Sequence, residues 1–385
     1  MATIIENLQT ILDIKQNIKT AIINKGVEVA NDDSFNSYAE KIDSIETPQY
    51  DYLSGTVDVE GLENIGWSNE SVGYFRDNTP HYHWENNEYI VNEANKTLKD
   101  TVVNTATIQK NKNNPNMEFV PYPISVTESN TFSDCKYIKG IPLINTNGFS
   151  SLKNMFRNCT ALKTIPPINT SNSTNLDSLF YGCSSLVTIP LLDTAKTTNF
   201  NSMFYNCSSL VTIPQLDTTN ALYLAYMFRG CKALMRLPLF DTKKVVNFHY
   251  MFRNCTSLKT VPPINTQSAN NVSYMFYGCI GLTNLPLFNF GNVTNIGNFF
   301  GTTEITTLTD LGGFENLKIN WNDDYGLYKL PNLTYQSVLN VINNLYDFRD
   351  NGNTTTRTIK LHPNSISLLS DKDIAIATNK GWIIS

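Results

Sequence analysis

Seven cysteines define one arithmetic series, Cys135, Cys159, Cys183, Cys207, Cys231, Cys255 and Cys279, each 24 residues beyond the last. Zinc chelation starts from a C-x-x-C pair, and the series contains none. Disulfides are the second chemistry to weigh, since stacked 24-residue units bring neighbouring cysteines within the usual Cα window. Stacked side chains point the same way, however, and an odd number leaves one unpaired. What remains is a column of small, buried, reduced thiols. The run His81-Tyr82-His83-Trp84 offers a metal chemistry of its own, because alternate residues of a strand share a face. That pair follows Pro80 and precedes an expected helix with Tyr89, Ile90 and Leu98, so ordinary packing or surface roles outweigh a ligand set. No metal and no cofactor is expected.

Asp193, Asp217 and Asp241 stand in series and would set carboxylates about 4.8 Å apart, superficially a glycosidase pair. The same slot holds Asn145, Asn169, Asn265 and Asn289, so turn closure by a short polar side chain explains it better. The chain shows no nucleophile elbow, no phosphate-cradling glycine loop and no zinc motif. The expectation is a protein that binds or assembles, not an enzyme.

Two ladders of side chains suit binding. The first follows the repeated phenylalanine: Arg157, Tyr181, Tyr205, Arg229, Arg253 and Tyr277. Interfaces favour Tyr and Arg, and Tyr rings suit sugar stacking; the competing reading is that these side chains stack on one another through cation–π contacts. The second lies beside the expected strands: Lys163, Val187, Val211, Met235, Lys259 and Thr283, with Arg236 alongside. Its chemistry varies from unit to unit, as a recognition face requires, although any exposed strand face varies too.

What positions these ladders is the repeat itself. Phenylalanines run from Phe132 to Phe300 in steps of 24, three residues ahead of the cysteines, and the unit reads M-F-x-x-C-x-x-L-x-x-I-P-x-I-[DN]-T. A fixed period of this length means a stacked array. The Leu and the branched residues around the proline suit a short extended segment facing inward, and the Met-Phe pairs (Met203-Phe204, Met227-Phe228, Met251-Phe252) suit a short helical or 3₁₀ stretch on the opposite wall. Seven or eight coils at the strand spacing of about 4.8 Å make an array roughly 35 Å long.

Hydrophobic residues make up 41% of the chain and charged ones only 16%, with a net charge of −5. Neutral hydrogen-bonding residues fill the gap, as an array that stacks like on like requires. The charge balance gives no support to a nucleic-acid role. No apolar run approaches the roughly 18 residues that span a bilayer, and the N-terminus carries no secretion signal, so synthesis in the cytosol without membrane insertion is expected.

The flanks read differently from the array. Residues 1–46 carry two amphipathic stretches, one with Ile14, Ile18 and Ile22 on a face and one with Phe35, Tyr38 and Ile42. Residues 47–107 form a bridge, with a strand at Thr56-Val57-Asp58-Val59 and a short helix from Trp67 through Phe75. Residues 108–310 are the solenoid, opened by an atypical coil with Met117, Phe119 and Val120 near the strand register. Residues 311–385 close it, with Thr334 capping a helix of Val338, Val341, Ile342 and Leu345, and Ser370 through Asp373 forming a capping box.

The unit, over about Phe132 to Gly301, resembles the BspA-type leucine-rich repeat of bacterial surface proteins. The resemblance implies a curved β-strand solenoid with a binding or adhesive role. The segment I-K-Q-N-I-K-T-A-I-I-N-K-G-V-E-V followed by F-N-S-Y-A-E-K-I is similar to the N-terminal modules of bacteriophage tail, baseplate and fibre proteins, which implies attachment to a particle or joining of copies. The ending A-I-A-T-N-K-G-W resembles the closing unit of phage-associated repeat proteins. The fold expected is therefore an α/β repeat solenoid, leucine-rich-repeat-like, with a small helical N-terminal module and a C-terminal α/β cap. The function expected is that of a virion appendage, oligomeric, docked on other virion proteins through residues 1–46 and adhering by its repeats to a host surface protein or glycan. The alternatives are a bacterial cell-surface adhesin and a non-catalytic protein-binding scaffold.

Overall fold

The computed structural model describes residues 81–85, 88–92, 103–113, 115, 124–141 and 144–385. The N-terminal helices with Ile14, Ile18, Ile22, Phe35, Tyr38 and Ile42, the strand at Thr56–Val59, the helix from Trp67 and the residues Leu98, Met117, Phe119 and Val120 lie outside the described residues.

One coil, starting at Asn175, shows how the chain folds. From Leu176 to Cys183 the backbone makes three overlapping four-residue turns, closed by Leu179 N–H to Leu176 O, Tyr181 N–H to Ser178 O and Cys183 N–H to Phe180 O, at 3.2, 3.2 and 3.1 Å. The third residue of the first and last turns has a positive φ, 58° at Ser178 and 74° at Gly182, as a type II turn demands. The intervening N–H groups point along the array instead: Leu176, Ser178, Phe180 and Gly182 donate to Asn199, Asn201, Met203 and Tyr205 of the next coil at 2.7–2.9 Å.

This corrects the expected helical or 3₁₀ Met-Phe stretch. A helix spends its N–H groups on its own carbonyls, whereas alternate turns leave half of them for the neighbouring coil. Among the described residues, the continuous bridge column on this wall is one residue wide, from Ser151 through Asn175, Asn199, Tyr223, Asn247 and Asn271 to Asn295.

On the second wall the Leu and branched positions face inward as expected: Leu186, Ile189 and Leu192 are buried. The ladder there is sparse. Val187 N–H donates to Lys163 O at 3.1 Å and Val211 N–H to Val187 O at 3.3 Å, but the next donor slots are taken by Pro166, Pro190 and Pro214, which have no N–H. Paired strands form only near the end of the array. Here β5 (Asn284–Leu285) pairs in parallel with β7 (Asp310–Leu311), and β6 (Phe288–Asn289) with β8 (Phe314–Glu315).

The Asp/Asn slot turns the chain as expected. The carboxylate or amide oxygens of Asp193, Asp217 and Asp241 accept the N–H two residues on at 3.2, 2.9 and 3.1 Å, and Asn169 and Asn265 do the same. The buried Thr beside five of these corners reaches the next coil, as Thr194 Oγ1 does to Asp217 O at 2.8 Å, whereas the buried Thr218 hydroxyl has no partner among the described residues.

Another corner alternates residue type. Asn158, Asn206 and Asn254 stand over Gly182, Gly230 and Gly278 of the following coil, and a Cβ added to any of these glycines would strike the side-chain oxygen of its asparagine. All six have positive φ.

The core is a column of rings. Phe132, Phe156, Phe180, Phe204, Phe228, Phe252 and Phe276 stack at 5.4–5.8 Å between centroids, within 20° of parallel. The column ends in a herringbone: Phe299 meets Phe276, Phe314 and Trp321 edge-on.

Beyond the last coil, α2 (Tyr335–Asn343) is capped by Thr334, and Ser337 Oγ accepts from Leu311 N–H and donates to Thr309 O, both at 3.0 Å. β9 (Arg357–Ile359), α3 (Pro363–Ile366), α4 (Asp371–Asn379) and β10 (Trp382–Ile384) follow, with β9 and β10 parallel. Ser370 and Asp373 form a reciprocal capping box on α4. Ahead of the array, β3 (Val103–Asn104) pairs with β4 (Ile124–Ser125) around α1 (Thr105–Asn111).

β1 (His81–Glu85) and β2 (Glu88–Asn92) form an antiparallel hairpin with His83 opposite Ile90. The helix expected to hold Tyr89 and Ile90 is thus a strand; Tyr-Ile-Val is a β-rich run, and its pairing with β1 decides the outcome.

Two stability predictions follow from the coil geometry. Phe228→Ala should lower unfolding free energy by about 3–5 kcal/mol, because both stacked neighbours lose a face; an unchanged urea midpoint would refute the stacked core. Gly230→Ala should destabilise by about 1–3 kcal/mol, since it combines a positive φ with the Asn206 collision, and Asn206→Gly in the same chain should recover part of that loss.

Candidate functional site

All seven cysteines are free and buried, as expected for packed thiols. The structure adds a role that composition did not show. From Cys159 onward, each Sγ–H donates to the carbonyl of the phenylalanine 27 residues earlier, as Cys159 does to Phe132, Cys183 to Phe156, Cys207 to Phe180 and Cys231 to Phe204, at 2.9–3.0 Å. That carbonyl already accepts a backbone N–H from its own turn, so the thiol uses the second lone pair. Burial pushes the Cys135 and Cys279 thiols up to about 12 and holds the other five well above the ordinary range. These groups are structural and unreactive while the fold is intact.

The first ladder assembles on the turn wall. Tyr181 and Tyr205 stack at 4.4 Å; Arg157 lies over Tyr181 at 5.2 Å, Arg229 over Tyr205 at 4.9 Å and Arg253 over Tyr277 at 4.6 Å. A second column that the sequence reading missed runs beside it. Tyr226, Tyr250 and Tyr274 stack at 5.0 and 4.4 Å, and both Arg229 and Arg253 lie over Tyr250, at 5.1 and 5.0 Å. The signal was present: each of these tyrosines immediately precedes a Met-Phe pair, in three consecutive units. His249 meets Tyr250 edge-on at 4.0 Å and holds Ser273 Oγ at 2.6 Å through Nδ1; burial lowers its pKa.

Stacking therefore does join this ladder, and it limits what the ladder offers. Both faces of Tyr250 are covered by its neighbours, so no ring face is free in mid-column for a sugar. Burial and the neighbouring ring raise the Tyr226 and Tyr274 phenols, which keeps their hydroxyls neutral near pH 7.

The second ladder lies on the other wall. Lys163, Val187, Val211, Met235 and Lys259 are exposed and Thr283 is half-buried, while Arg236 stands exposed beside Met235. Reading one residue beyond the proline finds the rest of this face: Leu191 and Leu239 are 72% and 60% exposed, and Met235 is 52% exposed. With Val187 and Val211 they put exposed aliphatic side chains on three successive coils, Gln215 standing between Leu191 and Leu239.

Neither wall gathers acid–base groups. Among the described residues no three His, Cys, Asp or Glu side chains come together as a metal set. A shallow, polar hollow of about 540 Å³ lies between Thr127–Asn130 and Gly148–Asn154, and no ladder residue lines it.

The repeat segment matches the family model described as "Mycoplasma protein of unknown function, DUF285" over residues 127–237 and 211–310. Together the two matched stretches span residues 127–310, the part of the chain that carries the repeats. No curated protein sequence matches the chain. Among solved structures, a leucine-rich repeat protein of T. pallidum is similar over 46% of this chain and 67% of its own, at 19% identity and a TM-score of 0.26. The mouse RP105/MD-1 complex is similar over 71% of this chain, at 15% identity and a TM-score of 0.22, and the match spans 52% of the mouse chain. The array itself is a stack of 24-residue coils joined mainly by turns.

The thiol ladder carries a pH prediction. An unfolded thiol ionises near 8.5, roughly, while the folded one stays neutral up to about 12 for Cys135 and Cys279, so the unfolded state loses its protons first. Stability should therefore fall as pH rises above about 8.5, by up to roughly 1.4 kcal/mol per pH unit for each thiol. Urea midpoints at pH 7.5 and 9.5 measure this, and Cys207→Ala should flatten the slope; a midpoint independent of pH would contradict the buried ladder.

Proposed function

We propose that this chain is a non-catalytic adhesive protein whose DUF285-type array binds a protein partner through its second wall. The observation that carries the reading is the aliphatic column Val187, Val211 and Met235, flanked by Leu191 and Leu239, exposed over consecutive coils. Such side chains supply neither hydrogen bonds nor ring faces, so they suit the apolar side chains of a protein better than a glycan. A rigid array that repeats a position while varying its chemistry is also how solenoids build recognition faces.

The finer reading is a virion appendage, oligomeric and held on the particle by Ile14, Ile18, Ile22, Phe35, Tyr38 and Ile42. Its support is the resemblance of that N-terminal segment to phage modules. The alternative, display on a bacterial cell surface, is supported by the family description, which names a cellular organism.

The double variant Met235→Asp, Leu239→Asp should leave the melting temperature unchanged and reduce binding to target cells at least tenfold. Undiminished binding by a folded double variant would remove the second wall from the proposal. Immunogold labelling before and after lysis decides the display: gold on phage particles supports the appendage, and gold on intact envelopes without particles supports the cell-surface adhesin.

A further inference from the structure

Charge is segregated along the array. Residues 218–303 hold seven Lys and Arg against a single acid, Asp241, in a chain whose net charge is −5. That one carboxylate is engaged at its own corner, where it accepts the Lys243 N–H and pairs with Lys243 Nζ, both at 3.1 Å. Within this basic stretch, Arg229 and Arg253 occupy the same position of consecutive coils, a like-charge pairing that neighbouring strands normally avoid. Among the described residues neither guanidinium makes an ion pair or a hydrogen bond; their contacts are the rings of Tyr205, Tyr226, Tyr250, Tyr274 and Tyr277. The Nε–H of Arg253 is shielded from solvent and has no acceptor.

A second and independent oddity sits beside the pair. The turn wall requires a positive φ at the residue before each Met-Phe position. Most coils meet it with Asn154, Ser178, Ser202 or Asn298, short polar residues that tolerate the left-handed region. Only three consecutive coils meet it with a bulky side chain, and these are Tyr226, Tyr250 and Tyr274, at φ 61°, 59° and 58°. Strain of this kind persists where function retains it. Here it sets three phenol rings in one column beside the two guanidiniums, Arg229 lying within 5.9 Å of the Tyr226 and Tyr250 rings and Arg253 within 5.8 Å of the Tyr250 and Tyr274 rings.

We infer that Arg229 and Arg253, framed by Tyr226, Tyr250 and Tyr274, form an oxyanion site for an anionic polysaccharide. Guanidinium edges take the carboxylate, sulfate or phosphate group, and the phenols hydrogen-bond the hydroxyls of the sugar chain. A bound anion also relieves the repulsion between the two arginines. Nucleic acid is the poorer occupant, because binding of single strands depends on open ring faces and these are stacked shut.

The test titrates the full chain with three oligosaccharides of matched length, polygalacturonate for carboxylate, chondroitin sulfate for sulfate and dextran as the neutral arm, with oligo-dT as a further polyanion. Calorimetry should show saturable binding in at least one anionic glycan arm, none for dextran, weaker binding for oligo-dT, and an affinity that falls with salt. The carboxylate and sulfate arms together identify which anion is preferred. Arg229→Gln and Arg253→Gln, tested separately so that one folded variant suffices, should each weaken binding at least tenfold. In the absence of ligand their melting temperatures should hold or rise, because one of two repelling charges is gone. Equal binding of dextran, tighter binding of oligo-dT, or no binding in either glycan arm would overturn the inference. So would a clear fall in melting temperature in both variants with glycan binding retained, which would make the arginines mortar between rings. If the glycan arms fail while Met235→Asp, Leu239→Asp still abolishes adhesion, the protein-binding role of the second wall stands and only the oxyanion site falls.

Discussion

Each coil of this protein is held to the next by alternate backbone N–H groups on the turn wall, and everything else in the array follows from keeping that alternation intact. Two residues per coil must enter the left-handed region so that the chain folds into overlapping turns and still turns every second donor toward its neighbour. The phenylalanine column, the thiol ladder and the buried threonines then fill the interior that this backbone encloses. The proline wall, poor in donors, is the consequence of having satisfied the coil-to-coil bonding elsewhere.

That division of labour separates the two surfaces in kind. On the turn wall, side chains project from tightly bonded backbone, so their rings come into register and stack. On the proline wall, the exposed side chains beside the strands are free to vary without disturbing a ladder, and the aliphatic and basic residues there change from coil to coil. A surface that varies on a frame that does not is suited to selecting one protein partner among many, whereas the regular comb of arginine and tyrosine edges suits a ligand that itself repeats.

Much of this was legible in the residue series. The 24-residue period, the inward phenylalanine and cysteine, the corner-closing role of Asp193 and its equivalents, and the stacking of Arg157, Tyr181, Tyr205, Arg229, Arg253 and Tyr277 all follow from composition at fixed spacing. The turn wall was not, because its left-handed residues are mostly serine, tyrosine and asparagine, and only glycine announces such a conformation plainly. Tyr226, Tyr250 and Tyr274 were overlooked for the same reason: nothing in the residue type suggests a tyrosine at positive φ. The hairpin at His81–Asn92 was misread because a short apolar run fits a helix or a strand until its pairing partner is known.

The corner at which Asn158, Asn206 and Asn254 stand over Gly182, Gly230 and Gly278 has a consequence for how such an array grows. The backbone repeats every 24 residues, but from Asn158 to Gly278 the packing at this corner repeats every two coils. Where the alternation stops, at Asp134 under Asn158, the asparagine amide donates to the carboxylate at 2.7 Å, so two polar side chains fit the corner once they can bond each other. A coil gained or lost within the array would therefore juxtapose like residues at its seam, and the seam would hold only where the pair can bond or leaves room.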